Sequence, residues 1–215
     1  MSKMLLAAAL AASTLVFAAP ASAAVVLSFT GGAQSPTSGY TVVDDFSSLA
    51  GLTNIIGDVQ IKSGAADGNG APPANVTPLG NPYLSVLAGG SATYNFAAPV
   101  SAFQFDWGSI DTYNSLTINA SDGSIVVVPG GSLFPNAANG DQIAAGTNGL
   151  FQVSSNSGQT FNSITFASSG NSFELDNLAV APVPEPATWA MMILGLGGIG
   201  AGLRRRRSFG ALQTA

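Results

Sequence analysis

From residue 25 to residue 180 the chain is a series of short apolar or alternating runs separated by turn-forming clusters. The runs are Val25 to Thr30, Tyr40 to Val43, Val59 to Ile61, Tyr83 to Leu87, Ala92 to Phe96, Ser101 to Trp107, Ser115 to Ala120, Ser124 to Val128, Leu150 to Ser154, Ser163 to Ala167 and Phe173 to Val180. Between them stand Gly31-Gly32, Gly64 to Pro73, Gly89-Gly90, Asp122-Gly123, Gly130-Gly131, Asn139-Gly140, Asn148-Gly149 and Gly170-Asn171. About ten strands at this spacing predict an all-β sandwich or barrel. No window carries a capped 3.6-residue period.

Alternation is clearest at Phe103, Phe105 and Trp107, which share one face while Gln104 and Asp106 take the other. Leu116 and Ile118 alternate in the same way with Thr117 and Asn119, and Ile164 and Phe166 repeat the pattern. Asp122-Gly123 between two such runs predicts a hairpin. The last run breaks phase. Phe173 and Leu175 point one way, yet the next apolar residues are Leu178 and Val180, three and five positions after Leu175. A β-bulge at Asp176-Asn177 supplies the extra residue and re-aims a side chain.

Composition narrows the chemistry. The 215 residues include 26 Gly and 12 Pro but no Cys and no His, and only 8% are charged. That excludes disulfide frameworks, zinc fingers and Cys- or His-dependent nucleophilic catalysis. Charge is segregated. The basic residues are Lys3, Lys62 and Arg204 to Arg207, so from Ala24 to Pro182 ten carboxylates face Lys62 alone, a formal charge of −9. Nucleic-acid binding needs clustered cations and is set aside.

Both ends read as addresses. Met1-Ser2-Lys3, an apolar stretch from Met4 to Ala19, and Pro20-Ala21-Ser22-Ala23 are the parts of a secretory signal peptide. Ala21 and Ala23 fit the small-residue rule of a signal peptidase, which places cleavage after Ala23 and makes residues 1–23 the signal. At the other end Val183-Pro184-Glu185-Pro186 precedes an uncharged segment from Ala187 to Leu203, then Arg204-Arg205-Arg206-Arg207. As a helix that segment spans about 25 Å, near the lower limit for a bilayer. The arginines would hold its end in the cytoplasm with the tail 208–215. Residues 24–182 are then an exported domain. Gly195-Leu196-Gly197-Gly198-Ile199-Gly200 fits G-x-G-x-x-G in letters only, without the strand before it or the acidic residue after it. Gly198 and Gly202 fit small-residue packing in lipid instead.

The order Pro-Glu-Pro, short apolar helix, Arg cluster resembles the PEP-CTERM sorting signal of Gram-negative bacteria. Pro184, Glu185, Pro186, Trp189 and Ala190 are similar to its variant with Trp-Ala, and Arg204, Arg205, Arg206 and Arg207 supply the basic end. The resemblance covers residues 183–207. It implies recognition by an exosortase, transient residence in the inner membrane and removal of the tail, followed by release to the cell surface or extracellular matrix. The plain alternative is a permanent single-pass anchor.

Phe173-Glu174-Leu175-Asp176-Asn177-Leu178-Ala179-Val180 resembles the closing strand of carbohydrate-binding-module-like jelly rolls, and Asp44-Asp45-Phe46 resembles their early acidic-aromatic stretch. The resemblance implies a jelly-roll sandwich and, in several such modules, a structural Ca²⁺ between the ends, for which Asp44, Asp45 and Asp176 are the candidate ligands. Ca²⁺ takes six to eight oxygens. Bland roles compete for the same residues: a buried Asp at the bulge, exposed carboxylates elsewhere. Asp67-Gly68-Asn69-Gly70 lacks the later ligands of a Ca²⁺ loop and reads as a flexible loop, and Lys62 reads as surface. Asp106 and Asp111 flank Trp107 near Tyr113. A glycosidase needs two carboxyls across a sugar cleft, which spacing does not establish. Trp107 and Tyr113 could stack on sugar rings, but Trp107 shares the Phe103 face and reads as core. The expectation is a non-enzymatic surface or biofilm-matrix protein without a required cofactor. The alternatives are an exopolysaccharide-binding module and, third, a glycan-active enzyme.

Overall fold

The computed structural model describes residues 25–73, 80–133, 138–156, 158–181 and 190–200. The described strands are β1 (Val25–Gly31), β2 (Thr41–Asp44), β3 (Leu52–Ile56), β4 (Val59–Lys62), β5 (Tyr83–Val86), β6 (Gly90–Val100), β7 (Ala102–Gly108), β8 (Asn114–Ala120), β9 (Ile125–Pro129), β10 (Gly149–Ser155), β11 (Phe161–Ser168) and β12 (Phe173–Ala181). One helical turn, α1 (Gly130–Leu133), follows β9.

The strands form two antiparallel sheets. The larger runs β1-β10-β7-β12-β5-β4, with β2 also pairing β12; the smaller runs β3-β6-β11-β8-β9. The chain crosses between the sheets repeatedly, as a jelly roll does, so sequence neighbours such as β6 and β7 lie in opposite layers. The expected β-sandwich is therefore the fold. Eleven strands coincide with the runs that periodicity marks. The exception, β3, has Leu-Thr-Asn-Ile-Ile without alternation and bends at Asn54, whose φ is 49°.

The core lies between the layers and is aromatic. Phe103, Phe105 and Trp107 from β7 point into it, together with Phe151 and Phe173 of the same sheet. Phe161 and Phe166 of β11 come from the facing sheet. Phe166 meets Phe105 and Phe173 edge-on at 5.5 and 5.7 Å, and Trp107 stacks on Phe173 at 4.5 Å. These are the geometries that ring quadrupoles favour. Trp107 is fully buried, so its place is the core and not a sugar platform.

The phase slip in the last run is a bulge. Pairing of β12 with β7 shifts between Asp176 and Ala179, and Asn177 adopts φ 51°. The extra residue returns Leu178 to the core, where it is fully buried like Leu175. The Asp122-Gly123 hairpin also forms, joining β8 to β9 in register.

A helix is described over 190–200. Among the described residues no helix is long and apolar enough to cross a membrane. The signal stretch 1–23 with Ala21 and Ala23, the motif residues Pro184, Glu185, Pro186 and Trp189, and Arg204 to Arg207 lie outside the described residues.

Candidate functional site

The two sheets present very different outer faces. In β7 the residues opposite the aromatic row are Gln104 and Asp106, and both are fully buried. In β12 the matching positions are Glu174 and Asp176, again buried. Alternation places these polar groups outside the core but does not leave them in water, because two loops cover this face.

The first loop, residues 32–40, is fastened at Ser35. Its backbone N–H donates to Asp106 Oδ1 at 2.7 Å, and its hydroxyl donates to the Asn177 carbonyl at 2.7 Å. Thr37 donates to Gln104 Oε1 at 2.9 Å. Asn177, turned by the bulge, donates from Nδ2 to Asp106 Oδ2 at 2.8 Å. The bulge thus aims a neighbour's amide at a carboxylate. Asp176 is the register partner of Asp106 on the adjacent strand. Burial pushes Asp106 up to about 7, against the bonds from Asn177 and Ser35 that favour the ionised form; the charge of Asp176 adds to the rise.

The second loop, residues 63–73, is fastened at Glu174. Its carboxylate accepts the Ala71 N–H at 3.2 Å and the hydroxyls of Ser172 and, at 2.8 Å, Ser109. Burial pushes Glu174 up to about 7 as well. Gly70 has φ 138°, and a Cβ there would lie 2.9 Å from Ser85 Oγ and 3.3 Å from Glu174 Oε1. Asp67-Gly68-Asn69-Gly70 forms a hydrogen-bonded turn seated against Ser85 and Glu174. Asp67 and Gly70 exchange backbone bonds, and Ser85 donates to the Asn69 carbonyl at 2.6 Å. Lys62 is correspondingly not a free surface lysine, since its ammonium lies 2.6 Å from Asp67 and its side chain is 12% exposed.

The three carboxylates expected to share a cation are not brought together. Asp44 pairs opposite Leu178, beyond the bulge, while Asp176 pairs opposite Asp106 before it. Asp44 accepts the Phe46 N–H at 2.8 Å, and Asp45 accepts the Ser47 N–H at 3.1 Å. Burial raises Asp44 above the usual carboxylate range, whereas its own turn holds Asp45 below it. Among the described residues no group of three or more carboxylates is placed to hold a metal ion. The one-residue slip puts Asp44 and Asp176 on opposite sides of the bulge in β12 pairing.

Asp106 and Asp111 do not form a catalytic pair either. Asp106 is covered by the first loop. Asp111 sits in the β7–β8 turn, where its N–H is taken by Asn114 and its carboxylate lies against Gly140.

The described residues line two shallow grooves, among others. One, about 450 Å³, is lined by Val42, Val43, Asp44, Asp45, Gly51 and Tyr94. The other, about 500 Å³, lies at one end of the five-stranded sheet beside Tyr113, with Ser91, Ser115, Ala167 and Pro129 along it. Tyr113 donates to the Asn171 carbonyl at 2.6 Å, and its ring packs on Gly170. The Tyr113 phenol is raised, mainly by burial. Tyr113 was legible as a candidate; the groove beside it was not, because its lining comes from four separated segments.

Residues 182–207 match the PEP-CTERM protein-sorting motif. The chain thus carries the signal its C-terminal residues resemble, and the motif begins one residue after β12 ends at Ala181. No curated protein matches the chain. Similar solved structures include the catalytic domain of a GH87 α-1,3-glucanase, at 14% identity and TM-score 0.38 over 74% of this chain and 30% of that one. A second is CsCBM6-3 from Clostridium stercorarium in complex with cellobiose, at 14% identity and TM-score 0.34 over 72% of this chain and 98% of that one. A third is a family 11 carbohydrate-binding module from Clostridium thermocellum, at 14% identity and TM-score 0.30 over 70% and 99%. The chain spans less than a third of the glucanase domain. Likeness at this level assigns neither ligand nor activity.

Proposed function

We propose that this is an exported protein of the cell surface or extracellular matrix, delivered through its PEP-CTERM signal, in which the β-sandwich is the working part and does no catalysis. The observation that carries the reading is the junction at residues 181 and 182: the last strand of the sandwich ends where the sorting motif begins. Removal of residues beyond the Pro-Glu-Pro motif would leave all the described strands intact. The non-catalytic part is supported by the fate of the buried carboxylates. Asp106 and Glu174 spend their oxygens on fastening loops, which leaves neither facing a groove.

Signal peptidase and an exosortase are the proposed processing partners, with the helix that includes residues 190–200 as a temporary membrane segment. The intact mass of protein released from the cell surface tests this. The expected mass lacks residues 1–23 and a C-terminal piece that includes Arg204 to Arg207. Recovery of the full 215-residue mass from the cytosol would overturn it.

A second reading, binding of exopolysaccharide by the sandwich, is favoured by the groove beside Tyr113. An orienting aromatic ring with hydroxyl and amide groups nearby is the kind of surface that meets a sugar: an apolar ring face with polar edges.

A further inference from the structure

The outer face of the five-stranded sheet is ruled into rows by its register. One row is Thr53, Thr93, Thr165, Thr117 and Val127, one residue from each of the strands β3, β6, β11, β8 and β9. The next is Asn95, Ser163, Asn119 and Ile125. On the other side is Ser91, Ala167, Ser115 and Pro129. Neighbours within a row are about 4.8 Å apart and the rows about 7 Å apart, as strand spacing and rise dictate. The rows are tied sideways. Thr93 and Thr165 hydroxyls meet at 2.8 Å, Asn95 donates to Thr53 at 2.7 Å, and Asn119 donates to Ser163 at 3.1 Å.

None of these residues is charged, although the region from Ala24 to Pro182 carries −9. The carboxylates at the border are engaged by neighbouring segments, and Asp111 also meets the Tyr113 hydroxyl. Asp122 accepts from Ser124 and from Gln159, and Asp111 lies against Gly140. The third row opens into the groove of about 500 Å³ beside Tyr113. That ring is held before any ligand arrives, by Gly170 on the ring and by the bond to Asn171. A side chain already fixed costs less to immobilise on binding.

We infer that this face, from the Thr row to the Tyr113 groove, is the binding surface for a neutral polysaccharide chain. The charge argument selects the partner. An anionic polymer would gain nothing from a face without cations on a domain of net negative charge, and a cationic one would seek the carboxylates elsewhere. A neutral polyhydroxyl chain can trade hydrogen bonds with Thr, Ser and Asn across several strands and lay one ring on Tyr113. This rests on the second reading above and gives it a place and a ligand class.

Native affinity electrophoresis of the full chain, in a detergent without a sugar headgroup, tests it. Separate gels contain xylan, mixed-linkage β-glucan, galactomannan or dextran, and a parallel gel contains alginate. Expected is at least a twofold mobility loss on one neutral polymer and none on alginate. Ser115→Arg, which fills the groove floor without removing packing, is expected to abolish the loss at unchanged melting temperature. Tyr113→Ala should abolish it too, with a lowered melting temperature from the lost contacts to Gly170 and Asn171. Asp45→Asn, in the other groove, should leave it in place. Retardation that survives Ser115→Arg, or that disappears with Asp45→Asn, overturns this site while the polysaccharide reading stands. Retardation by alginate alone overturns the neutral ligand. No retardation on any polymer removes both.

Discussion

The seven-stranded sheet hides a charged outer face, and the five-stranded sheet displays a neutral one. On the first, Asp106 and Glu174 are buried under loops that they fasten. On the second, Thr, Asn and Ser rows run across the strands, with Thr93 and Ser163 buried among their neighbours and no loop fastened over them by a carboxylate among the described residues. The difference teaches how a domain with so few charges uses them. Two carboxylates become structural acceptors, and the outer face of the other sheet carries uncharged residues, polar on its central strands and apolar at Ile125 and Val127.

The covered face is where substitution should cost most. Glu174→Ala removes the acceptor of the Ala71 N–H and of two hydroxyls, leaving buried donors unpaired. The expected loss is about 3 kcal/mol of unfolding free energy, measured by urea denaturation. A loss below about 0.5 kcal/mol, the range of an ordinary surface change, would erase the contrast between the faces.

Next in size is a pH effect. Burial pushes Asp106 and Glu174 up to about 7 in the folded chain, whereas in the unfolded chain they titrate near about 4. Between these values the folded state holds more protons, so stability falls as pH rises. The melting temperature is expected to climb as pH is lowered from 8 to 5, and Asp106→Asn should flatten part of that slope. A melting temperature that rises from pH 5 to 8 would mean that both groups are ionised in the fold.

The smallest effect belongs to the open face. Thr117→Val keeps the strand-favouring β-branch and should change stability by less than about 0.5 kcal/mol. A loss near that of Glu174→Ala would show that this face is covered in the folded protein.

Much of the fold was legible because period two reports on burial one strand at a time. Phe103, Phe105 and Trp107 announced the core, and the spacing from Leu175 to Leu178 announced the bulge. The roles of Asp106 and Glu174 were not legible. Their positions read as outward, but the Ser35 N–H that covers one is 71 residues away and the Ala71 N–H that covers the other is 103 residues away. The Thr row was hidden for a related reason. Each strand shows one threonine on its polar side, and only the register across β3, β6, β11 and β8 lines them up. The bulge that restores Leu178 to the core also sets Asp176 before the slip and the partner of Asp44 after it, which the spacing of the carboxylates does not reveal.

The place of β12 has a mechanical consequence. It has β7 along one side and β5 and β2 along the other, and its last residue leads straight into the tail. A pull on that tail loads a central strand along its length, so rungs on both flanks must shear together before the strand slides out. Tension on an edge strand such as β1 meets a single ladder, with β10. Force applied where β12 ends therefore meets more ladder than force applied to β1.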